Sequence, residues 1–122
     1  MSNQAADPYA SNCPSRQVLD RIGDRWTVLV VGALADGRRR YTEIARRIDG
    51  VSQKMLTQTL RGLERDGLVM RTVHASVPPR VDYELTALGQ SLQAPIAALQ
   101  DWATDHIDSV IAAREDYDAA TG

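Results

Sequence analysis

Long hydrogen-bonding side chains recur at helical spacing in the segment from Gly50 to Arg71, GVSQKMLTQTLRGLERDGLVMR. Within it, Leu56, Leu60 and Leu63 follow the i, i+4, i+7 pattern of one buried helical stripe. The opposite face carries polar or basic side chains, namely Gln53, Lys54, Thr57, Gln58 and Arg61. Gln and Arg can form paired hydrogen bonds with adenine and guanine edges, and no acidic residue lies between positions 51 and 63. The face therefore predicts a helix that recognises bases in DNA.

Two residues mark the start of this helix. Ser52 is a preferred N-cap, because its hydroxyl can accept a hydrogen bond from a backbone N–H of the first turn, and Gly50 permits the sharp entry. The helix is therefore predicted to begin near Gln53. Taken by itself, the segment could also be a surface helix with no binding role.

The charge of the chain is unevenly distributed. Its 122 residues carry a formal net charge of −2, which alone does not favour a polyanionic partner. Residues 36–80 contain ten Arg and Lys against five acids, a net charge of +5, whereas the rest of the chain has a net charge of −7. A basic middle between acidic flanks suits a DNA-binding face, because phosphate contacts supply affinity while contacts to base edges supply discrimination.

Length and composition exclude several classes of protein. A chain of 122 residues with 43% hydrophobic content fits one domain. No run reaches the roughly 18 to 20 apolar residues of a membrane span, and the polar start lacks the features of a signal peptide, so a cytoplasmic protein with no membrane partner is expected. His74 and His106 stand alone and Cys13 is the single cysteine, so we expect no metal and no cofactor. No phosphate-binding glycine loop or nucleophile motif is present, which argues against an enzyme and leaves no catalytic residue to name.

The first part of the chain is predicted to be an arm followed by two helices. Residues 1–12 resemble a flexible arm. Pro14 suits the first position of a helix that ends near Gly23. Trp26 to Ala35 is predicted to be a central helix, although its β-branched residues make a buried strand a real competitor.

A helix-turn-helix is predicted to follow. Thr42 can cap a third helix with Ile44 and Ile48 inward, and the short connection at residues 49–51 leads into the helix that begins near Gln53. Polar and basic side chains on and around this pair are the candidates for contact with double-stranded DNA. The predicted DNA-binding residues are Arg40, Thr42, Ser52, Gln53, Lys54, Thr57, Gln58, Arg61 and Arg80.

A hairpin is predicted after the turn signal Asp66-Gly67. Residues 68–75 form its first strand, and residues 81–85, VDYEL, alternate apolar and acidic side chains at the period of a second strand. The connection, residues 76–80, contains two prolines. A two-stranded hairpin directly after a helix-turn-helix is a wing, with Arg80 expected at its tip.

The C-terminal segment is predicted to be a long dimerisation helix at residues 86–114, capped by Thr86 and followed by a flexible tail at residues 115–122. Apolar residues recur there every three or four positions, and this apolar stripe is longer than the core of one small domain can bury. Burial against a second copy is the simplest arrangement, while packing on the protomer's own first helices is the alternative, and Pro95 should bend the helix. The predicted interface residues are Leu92, Ile96, Leu99, Trp102, Ile107 and Val110. The predicted fold is α+β and mostly helical, a winged helix-turn-helix domain over residues 13–114.

The sequence resembles the HxlR-type winged helix-turn-helix transcriptional regulators of bacteria and archaea over roughly residues 13–102. The resemblance rests on NCP (12–14), GDRWT (23–27), RYTEI (40–44), the segment from Gly50 to Arg71, and PPRVDYELTALG (78–89). The chain departs from the family's habits at Asp24-Arg25, where Gly-Lys is common, at Tyr41, where Phe is common, and at Gly62, where Glu is common. The resemblance implies a homodimer that binds an inverted-repeat operator and represses or activates neighbouring genes.

Cys13 is a candidate sensor of small electrophiles or oxidants. The resemblance implies this role, because some relatives respond through the cysteine at this position. The thiol precedes Pro14 at the positive end of a helix, where the macrodipole favours the reactive thiolate, and a flexible arm would leave it accessible. A single cysteine can equally pack as a small hydrophobic residue, and both interpretations remain open here.

Two further classes of function stand beside a sequence-specific DNA-binding regulator. Winged helices can also dock proteins, so a protein-interaction module without specific DNA binding is the main alternative. It would show no salt-dependent affinity for DNA. An enzyme is the least favoured class, because its reaction would need a group of catalytic residues that no motif reveals.

Overall fold

The computed structural model describes residues 7–122, which fold into six helices and three strands. In chain order these are α1 (Pro14–Gly23), α2 (Arg25–Ala33), β1 (Arg39–Arg40), α3 (Tyr41–Arg47), α4 (Gln53–Arg65), β2 (Val69–His74), β3 (Arg80–Leu85), α5 (Ala87–Gln90) and α6 (Gln93–Thr121). The chain divides into two units, one ending at Leu92 and the other comprising Gln93–Gly122. Of the predicted flexible arm, residues 1–6 lie outside the described part, and residues 7–12 form turns before α1.

The valine-rich segment forms the helix α2. Its first turn is capped by Asp24, whose carboxylate accepts a hydrogen bond from the Trp26 backbone N–H at 3.0 Å. The buried residues follow the i, i+3, i+4, i+7 spacing of one helical face, namely Thr27, Val30, Val31 and Leu34. The competing interpretation as a strand is therefore wrong, because a side-chain cap and a burial period of three to four residues belong to a helix.

Helices α3 and α4 form the predicted helix-turn-helix. Gly50 in the turn has φ +84°, a left-handed conformation that side-chain-bearing residues rarely adopt. The Ser52 hydroxyl accepts a hydrogen bond from the Met55 backbone N–H at 3.1 Å, which confirms Ser52 as the N-cap of α4. Below α4, the side chains of Ile44, Leu56, Leu60 and Leu63 are fully buried and form the core of this unit.

The start of α3 differs from the prediction that Thr42 caps it. The helix begins at Tyr41, and Arg40 is its N-cap residue. The Glu43 carboxylate accepts a hydrogen bond from the Arg40 backbone N–H at 2.9 Å. The start of α3 is therefore stabilised by a glutamate three residues after the N-cap and not by the Thr42 hydroxyl.

The sheet has three antiparallel strands in the order β1-β3-β2, one strand more than the predicted wing. Strands β2 and β3 form the predicted hairpin, from Val69 opposite Leu85 to His74 opposite Arg80. Strand β1 pairs with β3, and Arg40 lies opposite Asp82. Because β1 consists of two exposed arginines, it has no alternation of apolar and polar side chains that could reveal it in the sequence.

Arg80 does not lie at the tip of the wing, as the sequence predicted. It is the first residue of β3, paired with His74, and residues 75–79 make the connection. Pro78 and Pro79 lack the N–H groups that strand pairing requires, so pairing resumes at Arg80.

Gly62 has a packing role in the middle of α4. A Cβ atom at this position would overlap the guanidinium group of Arg21, which belongs to α1. The same guanidinium donates from Nε to Asp66 Oδ2 at 3.1 Å. The missing side chain at Gly62 thus allows α1 to be tied to the end of α4.

The C-terminal segment is two helices and not one. The Thr86 hydroxyl accepts a hydrogen bond from the Gly89 backbone N–H at 3.1 Å, so Thr86 caps the short helix α5 as predicted. The chain then breaks at residues 91–92 before α6. Pro95 explains the break, because within a continuous helix its ring would clash with the carbonyl of Ser91, whereas a proline in the first turn of α6 is tolerated.

Helix α6 is also longer than predicted. It continues to Thr121, so residues 115–121 are helical where a flexible tail was expected. The segment REDYDAAT contains no glycine or proline, and its Ala, Arg and Glu residues favour helix. Within residues 7–122, no helix is both long enough and apolar enough to cross a membrane.

Candidate nucleic-acid interface

The outer face of α4 presents the polar side chains that the sequence singled out. Gln53, Lys54, Gln58 and Arg61 are exposed, and Thr57 is half-buried. Thr59, which lies between these positions in the sequence, is instead buried, and its hydroxyl donates to the Met55 carbonyl at 2.8 Å. Met55 is itself exposed and adds an apolar side chain near the start of the helix, a feature that the apolar stripe did not include.

Tyr41 connects α3 to this outer face. Its hydroxyl lies 3.2 Å from the Gln53 carbonyl oxygen and 3.2 Å from the Thr57 hydroxyl oxygen. Sequence reasoning did not include Tyr41 among the site residues. One signal in the sequence could have indicated it. Phe is common at this position in the family that the sequence resembles, so the extra hydroxyl of Tyr41 marks it as a candidate for a polar contact.

A groove separates the start of α3 from the wing. Its volume is about 600 Å³. Its lining includes three of the predicted DNA-binding residues, Arg40, Thr42 and Arg80, together with residues 76–79. The groove therefore brings residues at the start of α3 and residues of the wing to one concave surface.

A buried carboxylate organises the wing beside this groove. Asp82 is only 4% exposed, although the alternating pattern placed acidic residues on the polar side of the strand. His74 Nε2 lies 2.8 Å from Asp82 Oδ2, and Arg80 Nε lies 3.5 Å from Asp82 Oδ1. A carboxylate is tolerated away from water when cationic or donor groups surround it, and here they come from His74 on the neighbouring strand β2 and from Arg80 on β3 itself. The ion pair with Asp82 thus restrains Arg80 at the end of the hairpin that adjoins the connection at residues 75–79, and Arg80 is less free than an arginine within that loop.

Ion pairs connect the basic side chains to the rest of the fold. Arg38 Nη2 lies 3.2 Å from Glu84 Oε1, and Arg71 Nε lies 3.4 Å from Glu64 Oε1. Both pairs are exposed to solvent, where such pairs contribute little stability. Their effect is to orient arginines around α4 and the sheet.

Tyr83 lies between the sheet and α4. Burial raises the pKa of its phenol above the ordinary value, while the positive charges of Arg71 and Arg61 lower the pKa and the nearby Glu64 raises it. The desolvation effect is the largest of these, so Tyr83 stays neutral at physiological pH. It therefore contributes no charge to the basic surface.

Cys13 lies where the sequence placed it, at the N-cap of α1 with Pro14 in the first turn. Its accessibility differs from the expectation, because the residue is 2% exposed. Residues 7–12 fold into turns that hold this segment, with the Cys13 backbone N–H donating to the Ala10 carbonyl at 3.2 Å. A reagent could reach the sulfur only if this segment moved.

The predicted interface residues of the C-terminal segment differ in exposure. Ile96 is buried in the single chain, and Leu92 and Val110 are half-buried. The remaining three are exposed by 63%, 57% and 43% in the order Leu99, Trp102 and Ile107. Within residues 7–122, no group of His, Cys, Asp and Glu side chains is arranged to hold a metal ion.

Comparisons with known proteins find transcriptional regulators of the helix-turn-helix type. The sequence model of the HxlR-like helix-turn-helix matches residues 21–110. The HTH-type transcriptional regulator YtfH of Escherichia coli (strain K12), an uncharacterized protein, is 44% identical over 108 residues, which cover 88% of this chain and 86% of YtfH. Its namesake from Salmonella typhimurium, also described as a transcriptional regulator, has a solved structure that matches with a TM-score of 0.84 at 44% identity, covering 89% of this chain and 97% of that one.

A redox regulator is among the similar structures. The oxidized form of the redox regulator HypR matches with a TM-score of 0.69 at 38% sequence identity. The match covers 76% of this chain and 96% of HypR.

Proposed function

The chain belongs to the HxlR-like helix-turn-helix family of transcriptional regulators, and we propose that it acts as a homodimer on an inverted-repeat operator, with the outer face of α4 in the major groove. The observation that carries this proposal is the exposure of Gln53, Gln58 and Arg61 on a capped helix whose other face is buried. Such side chains can form paired hydrogen bonds with adenine and guanine edges. Members of the family regulate transcription, a role that requires no catalytic centre.

The basic residues around α4 divide into two roles in this proposal. Those on α4 contact bases, whereas Arg40, Thr42 and Arg80, which line the groove, contact the phosphate backbone. Ser52 belongs to the N-terminal end of α4, where helix geometry also favours a phosphate. Backbone contacts set affinity and salt dependence, and base contacts set sequence preference.

Dimerisation through α6 supplies the second half-site. Leu99, Trp102 and Ile107 are large apolar side chains left exposed in the single chain. A second copy would remove them from water, and each buried apolar Å² contributes about 25 cal/mol. A two-fold axis would place two α4 helices about 34 to 36 Å, or a multiple of that distance, apart on the same face of DNA.

Regulation through Cys13 is a proposed extension of this function. The similarity to HypR, a redox regulator, and the position of Cys13 at the start of α1 support it. Oxidation to a sulfenic acid adds a polar oxygen to a site that is 2% exposed, so the modified residue would be costly to keep buried. Arg21 on α1 forms an ion pair with Asp66 at the end of α4. Displacement of α1 would therefore break this ion pair or shift α4, the proposed DNA-binding helix.

Selection of bound DNA from a random pool, under reducing and under oxidising conditions, tests the function. We expect an inverted repeat to be enriched when the protein is reduced and the enrichment to change with oxidant. The Cys13→Ser variant should select the same sequence and lose the response to oxidant. If no sequence is enriched and binding shows no dependence on salt, the chain is a protein-interaction module and the proposal is wrong.

A further inference from the structure

We propose that Tyr41 is a positioning residue that withdraws the hydroxyl hydrogen of Thr57 from base recognition and thereby excludes guanine from the base position that Thr57 faces. The inference rests on the proposed role of α4 and names a determinant of its specificity. It follows from the number of hydrogens that three oxygen atoms share.

The geometry joins Tyr41 to two groups on α4. The Tyr41 hydroxyl oxygen lies 3.2 Å from the backbone carbonyl oxygen of Gln53 and 3.2 Å from the Oγ1 atom of Thr57. Tyr41 and Thr57 are both half-buried, so neither hydroxyl is freely solvated. At 3.2 Å both distances are somewhat longer than the roughly 2.5 to 3.0 Å usual between two hydrogen-bonded oxygens, so both hydrogen bonds are weak.

The count of hydrogens decides the direction of each bond. A carbonyl oxygen can only accept, so the Gln53 carbonyl takes the single phenolic hydrogen of Tyr41. The bond between the two hydroxyls must then be donated by Thr57. Thr57 has one hydroxyl hydrogen, and this arrangement uses it.

The usual alternative for a threonine in a helix is a bond to the carbonyl four residues earlier, which here is Gln53. That carbonyl already accepts from Tyr41 and, by helix geometry, from the Thr57 backbone N–H, and it has two lone pairs. The Thr57 hydroxyl is therefore directed to Tyr41. What remains for a ligand on the outer face is the methyl group and the acceptor capacity of Oγ1.

These remaining groups discriminate between bases. Guanine presents two acceptors, N7 and O6, in the major groove and requires a donor. Adenine and cytosine present amino donors that can bond to Oγ1, and thymine presents a methyl group that can pack against the threonine methyl. A Thr57 side chain without an available hydrogen thus rejects guanine and tolerates the other three bases.

Removal of a single oxygen tests this inference. The test uses four operators that differ only at the position where Thr57→Ala changes base preference, and it measures the affinity of each variant for all four. Tyr41→Phe keeps the ring and removes the acceptor that fixes the Thr57 hydrogen. The vacated Gln53 carbonyl then competes with guanine for this hydrogen, so affinity for the guanine operator should rise relative to the other three by up to about 10-fold, the full effect of one hydrogen bond. The double variant Tyr41→Phe, Thr57→Val has no hydroxyl hydrogen at this position and should again reject guanine relative to thymine as strongly as the wild type does.

The controls separate positioning from structural support. Tyr83→Phe removes a phenol oxygen from the same groove, leaves the Tyr41 hydrogen bonds in place, and should not change the preference at this position. Thermal melting reports whether each variant is folded. If Tyr41→Phe does not fold, Thr57→Val in the wild-type background still tests the inference, since its rejection of guanine should equal that of the wild type.

Several outcomes would overturn the inference and leave the proposed function standing. One is a wild-type operator with guanine at the Thr57 position, and another is a Tyr41→Phe variant that loses affinity equally for all four bases. Weaker rejection of guanine by Thr57→Val would also overturn it. Failure of the wild type to select any sequence would instead contradict the proposed function itself.

Discussion

Helices α4 and α6 both carry large apolar residues, but the single chain buries most of those on α4 and few of those on α6. On α4, Leu56, Leu60 and Leu63 are at most 1% exposed, and apart from Met55 the side chains left in water are polar. On α6, Leu99 and Trp102 are more than half exposed. Water satisfies the exposed polar groups of α4, whereas the exposed apolar groups of α6 contribute to stability only when another apolar surface covers them.

This contrast explains why the two helices suit different partners. Polar donors and acceptors recognise a ligand through directional bonds, and an apolar stripe recognises another apolar surface through area and fit. These differences support the proposal that α4 binds DNA and that α6 binds a second copy of the chain. Substitutions on the two helices should therefore change different properties of the protein.

The largest effect is expected from Leu99→Asp. If α6 forms the interface, the substitution buries an unpaired carboxylate and should raise the dimer dissociation constant by about 100-fold or more. Sedimentation velocity should show monomers that retain the circular dichroism of the folded chain and bind the operator weakly. Gln100→Asp, on an exposed neighbouring position, is the matched control and should remain dimeric.

An effect of similar size but a different signature is expected from Leu60→Ala on α4. Leu60 is 1% exposed, and truncation of a buried leucine lowers the free energy of unfolding by about 2 to 5 kcal/mol. Denaturant unfolding of the Leu99→Asp monomer, with and without Leu60→Ala, measures this loss. The loss should not depend on protein concentration, and a dependence would place Leu60 in an interface between chains.

The next effect concerns the outer face of α4. Replacement of Gln58 or Arg61 by Ala should each cost about 1 to 3 kcal/mol of binding free energy at the selected operator, because each can form a bidentate contact with a base. Arg80→Ala should instead weaken binding to all sequences alike and flatten the salt dependence, which titrations at several salt concentrations would reveal. Full sequence preference in the double variant Gln58→Ala, Arg61→Ala would remove α4 from base recognition.

The smallest effect is a pH dependence of the stability of the unit that ends at Leu92. Burial raises the pKa of Tyr83, so the unfolded chain releases this proton at about pH 10 and the folded chain at a higher pH. The contribution of the neutral Tyr83 phenol to the free energy of unfolding is complete below pH 10. It is lost as the pH rises through the pKa of the folded chain. Unfolding curves of the wild type and Tyr83→Phe should diverge above pH 10, and identical pH profiles would show that Tyr83 is not desolvated.

Regular patterns explain which parts of the fold the sequence predicted. The stripe of Leu56, Leu60 and Leu63, the Ser52 cap and the hairpin each depend on residues close in sequence, so local rules were sufficient. Strand β1 was missed because its two arginines pair with a strand forty residues later and carry no pattern of their own.

The remaining differences arise from contacts that only the folded chain creates. Asp82 can be buried because His74 reaches it from the adjacent strand β2, a contact that no pattern along one strand can indicate, while Arg80 lies beside it on β3. Tyr41 was also not predicted as a site residue, because its two hydrogen-bond partners lie on another helix, α4. Cys13 is less exposed than a flexible arm would have made it, because turns precede α1.

Sedimentation of the wild-type protein with its selected operator is the decisive measurement of dimerisation through α6, because it counts the chains on each DNA duplex. We expect a dimer at micromolar concentration and two chains on one inverted repeat, with half-site centres about one helical turn, or a multiple of it, apart. A monomer in solution that binds an isolated half-site with full affinity would contradict the assignment of α6 to a second copy of the chain.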